Sequence, residues 1–183
     1  DGRILMIRQY RPAIDREALE LPAGARDASG EDPAVTAARE LEEETGYRPG
    51  KMTKLASILT AIAWCNERTD IYLARDLEKV GGQQLDEAEE IEICAVPLED
   101  LCRRIYAGEI QDAKTVAGIM AYRSLLAEEA AGEAKEAEAA ETAEASEAVK
   151  KKETAKSAEK KRTPEKPDTL LSRLHRVLKR ART

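Results

Sequence analysis

Phenylalanine is absent from the 183 residues, tryptophan occurs once, and aromatic residues make up only 3% of the chain. Aromatic side chains supply much of the buried area of ordinary cores, so part of this chain is not expected to fold into a core. Histidine also occurs once, as His175 near the end, so a histidine general base is not expected. The three cysteines, Cys65, Cys94 and Cys102, form no CxxC pair. Neither a disulfide framework nor a zinc site is indicated, which fits a reducing, cytoplasmic setting. No apolar run approaches the roughly 18 residues of a transmembrane helix, and no signal-peptide pattern stands at the start. A strong basic field is lacking too. The net charge is −6, and no specific nucleic-acid partner is expected.

What is present is unevenly spread. Residues 1–126 hold the tryptophan, all five tyrosines, and every methionine and cysteine. From Ala127 the chain reads as Ala, Glu and Lys. Residues 128–147 contain eight Glu and one Lys, a net charge of −7. Residues 148–183 contain thirteen Lys or Arg against four acids, a net charge of +9. Blocks of this kind are solvated and disordered, or transiently helical because Ala and Glu favour helix. Three parts are therefore expected: a domain over 1–126, a low-complexity linker over 127–167, and a basic amphipathic helix over 168–183. In that last part Asp168 is a candidate N-cap. Leu170, Leu171, Leu174, Val177 and Leu178 form one apolar stripe beside Arg173, Arg176, Lys179 and Arg180. Such a helix suits docking on a protein groove or an anionic membrane surface, or folding back on its own domain.

Within residues 1–126 the patterns alternate between strand and helix. Ile4–Tyr10 reads as a strand, ended by Arg11-Pro12. Leu19–Leu21 is short and extended, closed by Pro22-Ala23-Gly24. Asp32 and Pro33 cap and start a helix that Gly46 stops. Residues 54–59, 70–74 and 91–96 read as strands. Residues 97–107 and 113–126 read as helices, the first ended by Gly108 and the second capped by Asp112. The order is β, β, α, β, β, β, α, α, a mixed α/β domain.

The chemistry is concentrated on the first of these helices. Glu40, Glu43 and Glu44 stand at i, i+3 and i+4, so they project from one face. Like charges this close repel, and the macrodipole disfavours anions in the C-terminal half of a helix. Something cationic should offset them. Arg39 is one candidate, and a hard divalent cation such as Mg²⁺, which takes oxygen ligands, is the other. Charge count alone leaves a solvated acidic face equally open. The full pattern decides more. Glu31, a seven-residue gap, Arg39, Glu40, Leu41, Glu43, Glu44, Gly46 and Tyr47 match the Nudix box, G-x5-E-x7-R-E-U-x-E-E-x-G-U. The one departure within it is that six residues, not five, separate Gly24 from Glu31. An extra residue in a surface loop is cheap.

The segment thus resembles the Nudix hydrolases, and the flanks RQYRPAIDREALELPAG and GEIQDAKTVAGIMAY resemble the ADP-ribose pyrophosphatase branch. The resemblance covers about residues 1–126 and none of the tail. It implies a mixed β-sheet between helices, and hydrolysis of a nucleoside diphosphate linked to another group. It implies Glu40 and Glu44 as ligands of Mg²⁺ (with Mn²⁺ as a substitute), joined by the Ala23 carbonyl. Glu43 is implied as ligand or base, Arg39 as the salt bridge that holds the glutamates, and Glu31 as structural. Arg11 is implied to contact substrate phosphate, and Glu20 to frame the pocket. LDEAEEIEI resembles the loop that brings in a late catalytic, metal-binding glutamate. Glu89 aligns best there, with Glu87 and Glu90 beside it.

Two further departures shape the expectation. The branch usually has Pro sixteen residues beyond the final Gly of the box, where this chain has Ile62. Trp64, in the same loop, either stacks on a base or ribose or packs into the core, and packing is the expectation. Relatives also carry an N-terminal segment and an early strand ahead of the point where this chain begins at Asp1. Those parts help build a homodimer in the branch, so a homodimer is expected where they are present. The leading reading is a Mg²⁺-dependent diphosphatase of ADP-ribose or a related ADP-sugar. The rivals are a diphosphatase for another nucleoside diphosphate derivative, and a catalytically weak binding module tethered by its C-terminal helix.

Overall fold

The computed structural model describes residues 2–27, 30–86 and 89–160. The chain divides into two compact units, and the first, Asp1–Ala130, holds every strand described below. The elements follow the order read from the sequence. Strand β1 (Arg3–Arg11) passes through a 3-10 turn at Pro12–Ile14 into β2 (Arg16–Glu20). Helix α1 (Pro33–Thr45) is followed by β3 (Tyr47–Leu59), β4 (Arg68–Lys79) and β5 (Ile91–Pro97). Helices α2 (Leu98–Tyr106) and α3 (Ala113–Lys160) complete the described chain.

Two antiparallel sheets result. One has the order β2-β1-β5 and the other is the β3-β4 hairpin. Strand β1 is central. Its neighbours Met6 and Ile7 are both fully buried, and adjacent residues of a strand point to opposite faces, so β1 is covered on both sides. On the Met6 side lies the main core, where Met6 packs with Leu101 and Cys102 of α2, with Ile110, and with Ile119 of α3. Ile4, Leu19, Cys94 and Val96 extend that cluster across the sheet. The register pairs Met6 with Cys94 and Ile4 with Val96, which sets these side chains on one face. Core formation therefore rests on aliphatic and sulfur side chains, which is how the domain folds without phenylalanine.

The two long strands of the hairpin exceed their sequence pattern. Residues 54–59 and 70–74 are expected as strands, but β3 starts directly after Gly46 and β4 runs on to Lys79. Pro49 and Gly50 hide the start of β3 from a pattern reading. Pro49 is tolerated because β3 has a partner on one edge only. A bulge between Lys54 and Ala56 shifts the register midway.

Helix α3 runs past its expected end. The sequence pattern ends it at Leu126, yet it continues to Lys160, through most of the segment read as disordered or transiently helical. Ala, Glu and Lys are strong helix formers, and pairs such as Glu147 with Lys151 at i, i+4 assist. The second unit begins at Ala131, and its described part is this continuation. The basic amphipathic helix expected over 168–183 lies outside the described residues. No helix among the described residues is long and apolar enough to cross a membrane.

Helix α1 has both ends fixed by local chemistry. The Asp32 side chain accepts a hydrogen bond from the Ala34 N–H at 2.9 Å, with Pro33 in the first turn. At the other end Gly46 adopts φ 72° and donates its N–H to the Glu42 carbonyl at 2.7 Å. Its own carbonyl accepts from Val80 N–H at 3.0 Å. A Cβ at position 46 would stand 2.5 Å from the Gly81 carbonyl oxygen. Gly46→Ala is therefore expected to cost about 2 kcal/mol or more, from left-handed strain plus a backbone collision. Urea denaturation will show it as a lower midpoint with an unchanged slope; an unaltered midpoint would refute this account of the helix end.

Candidate active site: a carboxylate helix face beside an arginine-lined cleft

Arg39 organises the acidic face of α1. Its Nη1 donates to Glu40 Oε1 at 3.0 Å and to Glu43 Oε2 at 2.9 Å. Its Nη2 donates to the Ala25 carbonyl at 3.1 Å and pairs with Asp27 at 3.2 Å. Glu31 stands 3.9 Å from its Nε and accepts the Asp27 N–H at 3.0 Å. One guanidinium thus ties the helix face to the loop before it. Glu31 closes that loop, with its carboxyl held below the usual range by hydrogen bonds from Thr36 and Asp27.

Glu44 is in a different position. Its side chain is buried, at 5% exposure. Its Oε2 accepts the Ala23 N–H at 3.0 Å. Burial, aided by the charges of Glu40 and Glu89, pushes its carboxyl up to about 7 against the pull of Ala23 and Lys114. Glu40 is displaced upward as well, by burial first, with Arg39 opposing. The turn at Pro22-Ala23-Gly24 lies against both carboxylates. A Cβ on Gly24 would stand 2.0–2.2 Å from the Glu40 carboxyl atoms, so only glycine lets that carboxylate sit there.

This donor set fits a hard divalent cation. It consists of carboxylate oxygens, one of them desolvated and without a cationic partner in contact, pressed against the backbone of residues 23–24. A cation there would remove the penalty that raises Glu44. Among the described residues no three acidic, histidine or cysteine side chains converge as a closed metal centre. Arg39 explains this, because it draws Glu40 and Glu43 towards its own guanidinium. Glu89 precedes β5, is exposed, and lies within electrostatic reach of Glu44. Its Oε2 accepts the Asp86 N–H at 3.2 Å. Glu90 is exposed, and Glu87 lies outside the described residues.

A cleft of about 1,020 Å³ opens beside this face, lined among others by Arg11, Ala23, Gly24, Lys114 and residues 67–77. Arg11 and Glu20 form a bidentate pair, Nε to Oε1 at 2.8 Å and Nη2 to Oε2 at 2.9 Å. That fork geometry occupies one edge of the guanidinium and leaves the Nη1 edge open. Glu20 is 3% exposed and also accepts from Lys114 of α3. Burial pushes its carboxyl up, but Arg11 and Lys114 outweigh it and bring it down to about 2.

Four contributors escaped the sequence reading. Thr115, fully buried, accepts the Leu21 N–H at 3.0 Å and donates its hydroxyl to Asp112 at 2.6 Å, which fixes the chain just ahead of Ala23. Lys114 joins α3 to Glu20. Gln83 donates to the carbonyls of Glu44 and Ile91, both at 2.9 Å, while Gln84 N–H donates to the Glu43 carbonyl at 2.7 Å. The last carbonyls of α1 are satisfied this way. The phrase DAKT, which begins with the capping Asp112, is the signal that could have pointed to Lys114 and Thr115. Trp64 is a correction. It is expected to pack, yet it is 90% exposed, with Ile62 at 80%, because the tight turn at residues 61–65 holds it on the end of the hairpin.

The NUDIX domain model matches residues 1–119. The chain belongs to the NUDIX domain family. It is 39% identical over 120 residues to an ADP-ribose pyrophosphatase of Bacillus subtilis, which covers 65% of this chain and 64% of that protein. It is 36% identical over 126 residues to an ADP-ribose pyrophosphatase of Mycobacterium tuberculosis, covering 68% and 61%. The chain thus spans a little under two thirds of the length of these curated relatives. A crystal structure of an ADP compounds hydrolase superposes with a TM-score of 0.64 at 25% identity, over 70% of this chain and 69% of that one. Nudix hydrolases generally use divalent metal ions, in keeping with the donor set.

The Glu20 cluster gives a pH dependence for this NUDIX domain. Its folded-state value lies below the ordinary 4.5, so the ionised carboxylate stabilises the fold. That contribution is complete above about pH 4.5 and is lost as the pH falls through about 2. Glu20→Gln is expected to lower stability near neutral pH by roughly 1–3 kcal/mol, since it breaks a buried charged pair. The gap from wild type should shrink between those pH values. Denaturant titrations at stepped pH measure this, and a gap that persists at the acid end would contradict the assignment.

Proposed function

We propose that this NUDIX domain hydrolyses the pyrophosphate bond of ADP-ribose or a related ADP-sugar, with Mg²⁺, giving AMP and a sugar phosphate. The observation that carries the reading is the seating of Glu40 and Glu44 against the Ala23–Gly24 backbone, beside a cleft that Arg11 lines. The printed names of the relatives support the substrate class.

The residues divide the work. Glu40 and Glu44 would hold Mg²⁺, or Mn²⁺ in its place, with Glu43, Glu89 and the Ala23 carbonyl completing the set. A divalent cation bound there neutralises the pyrophosphate and makes a water acidic enough to attack. Arg39 keeps Glu40 and Glu43 at fixed positions although like charges repel. Arg11 presents its open edge to a phosphate, and Glu20 fixes the plane of that guanidinium. The attacking water gives its proton to Glu89 or Glu43. As the new P–O bond forms, the bridging P–O bond breaks and the sugar phosphate departs.

A second reading is favoured by one observation. The loop where the ADP-ribose branch carries Pro holds Ile62 here, and Ile62 and Trp64 are both strongly exposed. That loop suits a different nucleoside or sugar, which makes another nucleoside diphosphate derivative the alternative substrate.

A panel of ADP-ribose, other ADP-sugars, NADH and nucleoside triphosphates, each with Mg²⁺, separates the two. Best turnover on ADP-ribose or an ADP-sugar is expected. Glu44→Gln is expected to lower kcat about 10³-fold, as loss of a metal-holding or proton-handling carboxylate does. A Glu44→Gln variant as active as wild type would sink the enzyme reading. Gly24→Ala is expected to displace Glu40, and so to raise the Mg²⁺ concentration needed for half-maximal rate without unfolding the domain. An unchanged Mg²⁺ requirement would count against the seating of Glu40.

A further inference from the structure

Lys114 lies in the first turn of α3, outside the family motif on α1 and far from it in sequence. Its Nζ donates to Glu20 and, at 3.0 Å, to Asp112. It is mostly buried, with 18% of its side chain exposed, and it lines the same cleft as Arg11 and Ala23. A buried lysine costs desolvation and side-chain entropy, so its position needs a compensating reason.

Charge accounting around Glu20 supplies one. Arg11 is paired in bidentate fashion with Glu20, so those two groups alone are neutral. A neutral pair attracts a polyanion weakly. Lys114 adds a positive charge behind Glu20, and the trio Arg11–Glu20–Lys114 carries +1. Asp112 shares the lysine, yet its carboxylate also accepts the N–H and the hydroxyl of Thr115 at the start of α3. Whichever carboxylates are counted, loss of Lys114 leaves this wall of the cleft one unit more negative. Geometry adds to charge. Arg11 bonds both oxygens of Glu20, and Lys114 adds a second donor to Oε2, which anchors the carboxylate, and with it the plane of the Arg11 guanidinium, to α3.

We propose that Lys114 is a positioning residue for substrate phosphate. It acts through Glu20 to hold Arg11 in one orientation and to offset the carboxylates of that wall of the cleft. The inference rests on the diphosphatase reading and deepens it, by assigning anion affinity to α3 as well as to the strand that carries Arg11. A helix outside the metal face would thus govern KM, while α1 governs kcat.

The test uses the full chain. Lys114→Met removes charge and hydrogen bonds. Lys114→Gln removes the charge but keeps a polar donor on a shorter side chain, and it is the second variant should Lys114→Met fail to fold. Lys114→Arg restores the charge. With ADP-ribose and saturating Mg²⁺, Lys114→Met and Lys114→Gln are expected to raise KM about tenfold and to change kcat less than about twofold, and Lys114→Arg is expected to recover most of the affinity. The salt dependence of kcat/KM should also weaken in the uncharged variants. A wild-type KM in a folded Lys114→Gln protein, or a fall in kcat alone, overturns the inference and leaves the diphosphatase reading standing. Absence of wild-type turnover on the whole panel overturns that reading instead. Calorimetric affinity for inorganic pyrophosphate then decides the role of Lys114, with equal affinities in wild type and Lys114→Gln refuting it.

Discussion

A single guanidinium permits the acidic face of α1 to exist. Glu40 and Glu43 stand one turn apart, towards the helix end where the macrodipole is negative, with Glu44 beside them. Without a cation the face would repel itself and the preceding loop would have no reason to close. Arg39 contacts Glu40, Glu43, Asp27 and the Ala25 carbonyl. It therefore sets both the spread of the carboxylates and the path of residues 25–27. That path delivers Gly24 under Glu40 and Ala23 against Glu44. The cleft inherits its shape from the same turn, since residues 21–26 form part of its lining.

The two buried glutamates of the site are held by opposite means. Glu20 meets two cations and remains ionised far into acid. Glu44 meets one backbone N–H and is pushed towards neutrality. Both are almost fully enclosed, so burial alone does not distinguish them. The partners do. One carboxylate is a completed ionic joint between β1, β2 and α3. The other retains an unmet need for positive charge, which is the property a cation-binding oxygen requires.

Much of this was legible in the sequence, for physical reasons. Asp32-Pro33 and Gly46 mark the bounds of α1 because capping and left-handed geometry select those residue types. The i, i+3, i+4 spacing of Glu40, Glu43 and Glu44 fixes a shared face whatever the tertiary context. The succession of strands along the chain followed from period-two patterns, as in Ile91–Val96, but their pairing within the sheets did not. What escaped was set by contacts distant in sequence. Lys114 and Thr115 matter through Glu20 and Leu21, each 94 residues away. Gln83 matters because two carbonyls, of Glu44 and Ile91, meet at its amide. Pro49 and Gly50 concealed the start of β3, because a lone edge tolerates residues that a central strand would reject. Trp64 was misjudged because its residue type usually packs, and only the hairpin turn shows that nothing covers it.

The stitching at the end of α1 has a mechanical consequence. Gln84 is bonded to the carbonyl of Glu43, and Gln83 bridges Glu44 to Ile91 at the start of β5. Glu89 lies between those two anchorages. It behaves as a point on a short tether whose ends are both fastened to the acidic helix or beside it. Covalent reach from those two anchorages therefore bounds how far Glu89 can stand from Glu44.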